Sequence, residues 1–443
     1  MPQKRLRRCE EQQEGVQEKQ QLGQQQEGQQ EGPELGVQGL FSRLIQKSPG
    51  LFHVHDVHRT KSVCLDMKPD CVVSCTAHCM PIDTVLILDL KGQSESRKEY
   101  CRASHIYQLA CYGVKLLEQL PAVCRSHVLL AVTDLRRIRF LRVTRKPGGD
   151  GYGYELSEEM EEVIPALCAV LLSEPSKYGA AYPPELTHDG EQVQLESFLG
   201  AGATSSVYRC SAAGQVGHVV AKVVRPAFQE LADIEKDVLE SLAGTPGVPA
   251  LVGKGVATDS SPFLLLKPQG TTFAEGSSAL ELRRVALGVG QLVDALHAAH
   301  DKRIVHRDVR PDNIMVDVDV EDATWYIIDW GCAVRIPMAP TPVSGFCGTI
   351  RYASDRVLQL MASGGLLDAS PADDLQSLVK ALFVLSHPLE RMELQAEGQP
   401  DAGGLLGVWR RFMQGRSMWS RLMDAAARSD YDVVRTGLVE RFE

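Results

Sequence analysis

Apolar and polar residues alternate along this chain in two registers, one of strand period and one of helical period. Short apolar runs of strand length occur as CVVSC (71–75), DTVLILDLKG (83–92), HVLLAVTDL (127–135) and IRFLRVTR (138–145). Helical spacing is present near 100–120 and 157–173. These elements predict an α/β domain over 39–175. A turn-rich stretch, SEPSKYGAAYPPELTHDGEQ (173–192), follows and places a linker at 176–192. From 193 to 443 the pattern resumes with strands first and helices afterwards, enough for a two-lobed α+β domain.

Residues 1–38 break the pattern. They are Gln-, Glu- and Gly-rich with almost no large apolar side chain, so they are expected to be disordered. The remainder is ordinary in composition, 44% hydrophobic and 23% charged. The formal charge of −10 argues against a general polyanion coat. The apolar runs are too short to span a bilayer. The polar N-terminus lacks an apolar signal segment, and the twelve cysteines form no dense framework, so they are expected to be reduced, in cytoplasm or nucleus. The KRLRR run at 4–8 reads as a solvated tail or a nuclear-localisation patch.

The chemistry concentrates in six places. LESFLGAGATSSVY (195–208) reads strand, turn, strand, and Gly200 and Gly202 let backbone N–H groups approach an anion, with Ser205 where a third glycine often sits. HVVAKVV (218–224) puts Lys222 in a largely buried strand, where an ammonium needs a partner. The next helix offers Glu235, with Glu230 as the fallback. SPFLLLKPQG (261–270) runs from a strand into an extended segment whose backbone suits an adenine edge. IVHRDVRPDNIMV (304–316) carries Asp308 and, five positions on, Asn313, and ATWYIIDWGCAV (323–334) ends a strand at Asp329 just before a glycine.

In this order and spacing the motifs resemble the eukaryotic protein kinases over 193–443. The resemblance implies ATP and Mg²⁺ as cofactors and a protein substrate. Asp308 would orient the substrate hydroxyl and accept its proton, Lys222 and Glu235 would form the phosphate-positioning pair, and Asn313 and Asp329 would hold metal. Arg310 would contact the γ-phosphate and Thr349 would meet Asp308 and Arg310, both signs of Ser/Thr specificity. Gly200, Gly202, Ser205, Val207, Val220, Lys222 and Met315 would line the nucleotide. DWG replaces the usual D-F-G, and no A-P-E follows. Instead GTIRYASDRVL (348–358) and DDLQSLVKALF (373–383) resemble the casein-kinase-one and fungal-type families, which implies Asp374 as a support of the catalytic loop. Thr341 and Ser344 are candidate phosphosites facing Arg307, but their Pro-rich setting favours a preformed loop. A pseudokinase scaffold is the alternative reading.

The N-terminal globular region carries Asp70 in MKPDCVV (67–73) and Asp89-Leu90-Lys91. These resemble the P-D…(D/E)-x-K arrangement of restriction-endonuclease-like folds, which precede the kinase in fungal-type kinases and some Crinkler effectors. The resemblance implies metal at Asp70 and Asp89 and a water-positioning Lys91. Gln108 and Tyr112 share a helix face, and Arg136, Arg137, Arg139 and Arg142 are placed to meet a phosphate backbone. Nucleic acid is still not the favoured partner, and a nuclease-like effector with a regulatory kinase domain is a further alternative. Cys71, Cys75, His78 and Cys79 cluster at spacings that suit no common zinc ribbon, and are expected to be reduced thiols in and near a buried strand.

Overall fold

A computed structural model describes residues 52–56, 69–91, 101–148, 151–215, 217–272, 282–317, 324–336, 345–396 and 401–442. The leader at 1–38, and Thr341 and Ser344, lie outside the described residues. The chain forms two units. The second takes in Tyr182–Glu443 together with the short segments Met80–Ile82 and Glu118–Arg125.

The first unit is built on one six-stranded sheet, β1 (His53–Asp56), β2 (Cys71–Ser74), β3 (Thr84–Leu90), β4 (His127–Thr133), β5 (Ile138–Arg145) and β6 (Tyr152–Leu156), hydrogen-bonded in that order. β3 and β4 run parallel, joined through the helix α1 (Ala103–Glu118), and the other described pairs of this sheet are antiparallel. The β3 sequence TVLILDL is apolar without alternation because both faces are covered. Leu86 and Leu88 pack with Leu167 of α2 (Val163–Leu171), while Ile87 packs with Leu109, Tyr112 and Leu116 of α1. Gly113 lets α1 settle on the sheet, since a Cβ there would stand 2.8 Å from Val143 Cγ2. Cys71 and Cys75 are buried in this core, outside any disulfide.

Two expectations change here. The stretch expected as linker, 176–192, holds the turn Pro175–Tyr178, strand β7 (Leu186–His188) and the start of β8 (Glu191–Ala201). Leu186 and Val193 are the reason: paired across these strands, both are buried among otherwise turn-forming residues. The arginines expected to face phosphates make internal bonds instead. Arg137 is buried against Asp134 at 2.7 Å, Arg139 donates to the Ser157 carbonyl at 2.9 Å, and Arg142 donates to that of Lys177 at 3.1 Å.

The second unit has two lobes. The first is an antiparallel sheet in the order β11-β12-β10-β9-β8-β7, with β9 (Ser205–Ser211), β10 (Val219–Val224), β11 (Ala250–Val256) and β12 (Pro262–Lys267), and one helix, α3 (Gln229–Ser241). After β13 (Thr271–Thr272) the chain turns helical at α4 (Leu282–Asp301). Three short strand pieces around the catalytic motifs, β14 (Ile304–Val305), β15 (Ile314–Asp317) and β16 (Thr324–Ile327), come next, and β17 (Val334–Arg335) pairs back on β14. Helices α5 (Asp355–Ser363), α6 (Pro371–Ser386), α7 (Pro388–Ala396), α8 (Ala402–Met413), α9 (Ser417–Ala427) and α10 (Tyr431–Phe442) complete the lobe. Gly288 admits the Trp325 ring against α4, where a Cβ would lie 1.9 Å from the indole nitrogen.

Helix α6 is the axis of this lobe, buried from Asp374 to Val384. It carries Lys380, fully enclosed, whose Nζ donates to the Ala353 carbonyl at 2.6 Å and pairs with Asp355 at 2.8 Å, with the Trp409 ring 4.9 Å away. Burial lowers the ammonium's pKa to about 8 against the pull of Asp355. A depressed lysine contributes stability that is complete above its unfolded value and is lost as pH falls through the folded one. The unfolding free energy of wild type relative to Lys380→Met is therefore expected to rise by about 2 kcal/mol from pH 8 to pH 10. All four tryptophans lie in this unit, so urea melts of the whole chain followed by tryptophan fluorescence read it directly. A flat difference across that range would mean that Lys380 stays charged without cost.

Candidate active site

Strand β10 sets the upper wall. Its register places Lys222 opposite Val207 of β9 and Leu264 of β12, and Val220 opposite Leu266, so these side chains share one face of the sheet. The turn between β8 and β9 is closed by the Gly202 N–H to the Ser205 carbonyl at 2.9 Å, and Ser205 is buried. Arg225, which the sequence did not single out, clips this turn: its guanidinium donates to the Gly202 carbonyl at 2.9 Å. A Cβ at Gly200 or Gly202 would meet nothing within 4 Å, so both glycines border open space. Below, Met315 is half-buried on β15, and Gly270 passes so close that a Cβ there would stand 2.6 Å from Met315 Cγ.

Lys222 joins the lobes. Its Nζ lies 2.5 Å from Glu235 Oε2 of α3 and 2.7 Å from Asp329 Oδ1. Burial works against the ammonium, but the two carboxylates outweigh it and hold the pKa above the ordinary lysine range. Lys222 in turn holds Asp329 below the usual carboxylate range, while burial pushes Glu235 up. Asp329 has φ 67°, a left-handed backbone that non-glycine residues rarely adopt. The neighbouring Trp330 is fully buried, donates its indole N–H to the Ile327 carbonyl at 2.9 Å and meets the His306 ring edge-on. That hydrogen bond is one a phenylalanine in the same place lacks.

The loop around Asp308 hangs from Asp374 of α6. The Asp374 carboxylate accepts from the backbone N–H of His306 at 2.6 Å and of Arg307 at 2.8 Å. It also accepts from His300 Nε2 at 2.9 Å, and His300 Nδ1 then takes the Tyr431 hydroxyl at 2.7 Å. His306 donates through Nε2 to the Ile328 carbonyl at 3.1 Å, which leaves Nδ1 to accept the Asp308 N–H at 3.2 Å. His300 and Tyr431 escaped the sequence reading because partners 74 and 131 positions apart leave no local spacing.

Asp308 itself accepts the Thr349 backbone N–H at 2.7 Å. Thr349 thus reaches Asp308 through its main chain. Gly348 makes that approach possible: it has φ +118°, and a Cβ there would lie 2.3 Å from the Arg307 carbonyl oxygen. Asn313 donates through Nδ2 to the Asp308 carbonyl at 2.8 Å, so its Oδ1 remains the atom with which it can ligate. Arg310 Nε is buried without a hydrogen-bond partner among the described residues, 3.5 Å from Asp308 Oδ2. The Asn313 and Asp329 oxygens are the hard donors Mg²⁺ requires, and an unsatisfied guanidinium N–H beside them suits a phosphate.

Cysteine chemistry departs from the sequence expectation at one point. Cys332 and Cys347 form a disulfide, with Cα atoms 5.8 Å apart. Their 15-residue separation gives no sign of it in the sequence, and the other eight described cysteines stand outside any disulfide.

The first unit brings together the other expected group. Asp70 Oδ2 accepts the Leu90 N–H at 2.6 Å, and Lys91 Nζ pairs with the buried Asp89 at 2.5 Å. Burial pushes Asp70 up to about 6, the Leu90 bond opposes this, and the Asp89 charge adds to it. Gln108 donates to the Tyr112 hydroxyl at 2.6 Å.

Residues 193–369 match the family model described as the protein kinase domain. Over 205 residues the chain is 31% identical to the "Putative ribosomal protein S6 kinase alpha-2" of Caenorhabditis elegans, covering 42% of this chain and 26% of that protein. Over 182 residues it is 29% identical to the calcium/calmodulin-dependent protein kinase type IV of Mus musculus, covering 40% and 39%. The chain thus spans only about a quarter to two-fifths of the curated relatives it matches. Among solved structures it is similar to vaccinia related kinase 3, at 20% identity and a TM-score of 0.45, over 58% of this chain and 90% of that one. The match and the motif order agree over residues 193–369, a stretch of mixed helices and sheets similar to the protein kinase domain.

Proposed function

We propose that this protein transfers the γ-phosphate of ATP to serine or threonine hydroxyls of a protein substrate. The observation that carries the reading is Lys222, whose ammonium is held between Glu235 and Asp329 at the open glycine turn. A cation so fixed positions phosphates without reorganising as the reaction proceeds. Val207, Val220 and Met315 supply the apolar surfaces for a base. Asp308, oriented by the Thr349 N–H, holds the substrate hydroxyl and takes its proton, and Arg310 balances charge on the transferred group. Asn313 and Asp329 would hold Mg²⁺, which would supply neutralisation of charge on the phosphate oxygens. Within this reading the 348–358 and 373–383 segments ally the domain with casein-kinase-one-like and fungal-type kinases, acting in cytoplasm or nucleus. Among the described residues no helix is long and apolar enough to cross a membrane. The test is label transfer from γ-labelled ATP to basic and acidic protein substrates. Wild type is expected to label them and Lys222→Met is not, whereas equal, background-level labelling by both proteins would mark a pseudokinase scaffold.

We also read the first unit as a restriction-endonuclease-like module that binds or regulates and does not cut. Asp70 and Asp89 are the pair that would hold a divalent ion, with Lys91 beside them. Of the four arginines that would grip a nucleic-acid backbone, Arg137, Arg139 and Arg142 are bonded within the unit instead. Wild type, Asp89→Ala and Lys91→Ala are all expected to leave supercoiled DNA intact with Mg²⁺ or Mn²⁺. Robust nicking by wild type, lost in both variants, would overturn this.

A further inference from the structure

We infer that Cys332 and Cys347 form a reversible thiol–disulfide site that locks the two ends of the activation segment onto the catalytic loop. The inference rests on the kinase reading of the same site. Both ends are anchored next to chemistry. Cys332 follows Asp329, Trp330 and Gly331 directly, and Val334 and Arg335 just beyond it pair with Val305 and Ile304 at the start of the catalytic motif. Cys347 immediately precedes Gly348 and Thr349, the residues that touch Arg307 and Asp308. Arg307 adds a third tie, donating to the Gly345 carbonyl at 3.1 Å. One covalent bond therefore joins the strand end bearing Asp329 to the segment that orients Asp308. A cross-link removes freedom from the chain between its ends, which favours the state in which both anchors are seated.

Three observations point to a switch. Eight other described cysteines stand outside any disulfide, several of them in the core, and an isolated pair among so many thiols has the pattern of redox sensing. Both sulfur-bearing residues are only half-buried. Cys347 also lines a small cavity of about 40 Å³ with Arg307, Phe346 and Asp368, so its sulfur is not sealed in the core.

The chemistry is exchange with a low-molecular-weight disulfide such as oxidised glutathione. One cysteine thiolate attacks a glutathione sulfur and releases one glutathione thiolate. The second cysteine thiolate then attacks the protein sulfur of the mixed disulfide and releases the other. The two protons leave with the released thiols, so two protein thiols are oxidised and one glutathione disulfide is reduced. A dithiol reverses the process.

The experiment uses the full chain, equilibrated with oxidised glutathione or with dithiothreitol, beside Cys332→Ser/Cys347→Ser. Peptide mapping after alkylation should find 332 and 347 linked and unalkylated only in the oxidised wild type, and both alkylated in the reduced protein. Hydrogen exchange at the peptide spanning Gly348 and Thr349 should slow about tenfold on oxidation of wild type and not in the double variant. Transfer should fall about three- to tenfold on reduction of wild type, and the double variant should stay at the reduced level in both buffers. Absence of the link after oxidation, or transfer and exchange at 348–349 that ignore redox state, overturns the inference and leaves the kinase reading standing. A link with redox-dependent exchange but no transfer in any sample instead rejects the kinase reading and keeps the lock.

Discussion

Asp308→Asn is expected to reduce phosphoryl transfer by about 10²–10⁴-fold, the usual contribution of a positioned general base, while leaving ATP affinity within about twofold. The geometry separates the two effects. Asp308 Oδ1 accepts the Thr349 N–H, and the amide oxygen of asparagine can occupy the same place; at Oδ2 the new amide forfeits only the longer 3.2 Å bond from Asn313 Nδ2, whose 2.8 Å bond to the residue-308 carbonyl still ties the loop. What asparagine lacks is a second oxygen able to take a proton. The groups proposed to hold the nucleotide, Lys222 and the glycine turn, do not touch Asp308 in the hydrogen-bond network. Initial rates at saturating ATP, set beside displacement of a fluorescent nucleotide, distinguish the cases. A variant that transfers at the wild-type rate removes Asp308 from the mechanism, and one that loses nucleotide binding as well shows that the loop has collapsed.

What could be read from the chain depended on how far apart the cooperating residues lie. The glycine turn, the lysine strand and the Asp308–Asn313 loop each announce themselves because spacing within one element determines which side chains share a face. Glu235 was legible for the same reason, since Val238, Leu239 and Leu242 mark the buried side of its helix. Asp374 and Asp329 were legible through motif order, but their partners were not. Nothing local connects His300 to Asp374, or Arg225 to the turn it clips, because these contacts arise only when lobes and helices pack. Leu186 and Val193 were hidden differently, as two apolar residues in a stretch whose prolines and glycines dominate the local signal. The arginines near β5 show the converse. Charge density alone suggested a polyanion surface, while hydrogen-bond demand in the folded unit had already engaged three of them.

Asp374→Asn is expected to damage both stability and transfer, although residue 374 touches neither of the proposed substrates. Its carboxylate is 1% exposed and accepts three hydrogen bonds, from the His306 N–H, the Arg307 N–H and His300 Nε2. Asparagine offers one acceptor oxygen, and its amide N–H₂ would face a donor. At least one buried donor is then unsatisfied, at about 1–3 kcal/mol each, so a loss of roughly 3 kcal/mol is expected in the tryptophan-monitored urea transition. Transfer should fall at least about 10²-fold, because a misplaced catalytic loop forfeits positioning. The pH dependence separates charge from shape. Burial pushes the Asp374 pKa up, but the hydrogen bonds it accepts from His300 and from the loop backbone at His306 more than reverse this, so the group lies below its ordinary value. A depressed carboxylate contributes stability that is present above its unfolded pKa and lost as pH falls through the folded one. The gap between wild type and Asp374→Asn should therefore be widest near neutrality and close under acid conditions, below the ordinary aspartate range. Tyr431→Phe, which removes only the outermost hydroxyl of the chain, should cost about 1 kcal/mol and little activity. If Tyr431→Phe instead matches Asp374→Asn in both measurements, the loop is held from the C-terminal helix through His300, and the two backbone bonds to Asp374 are secondary.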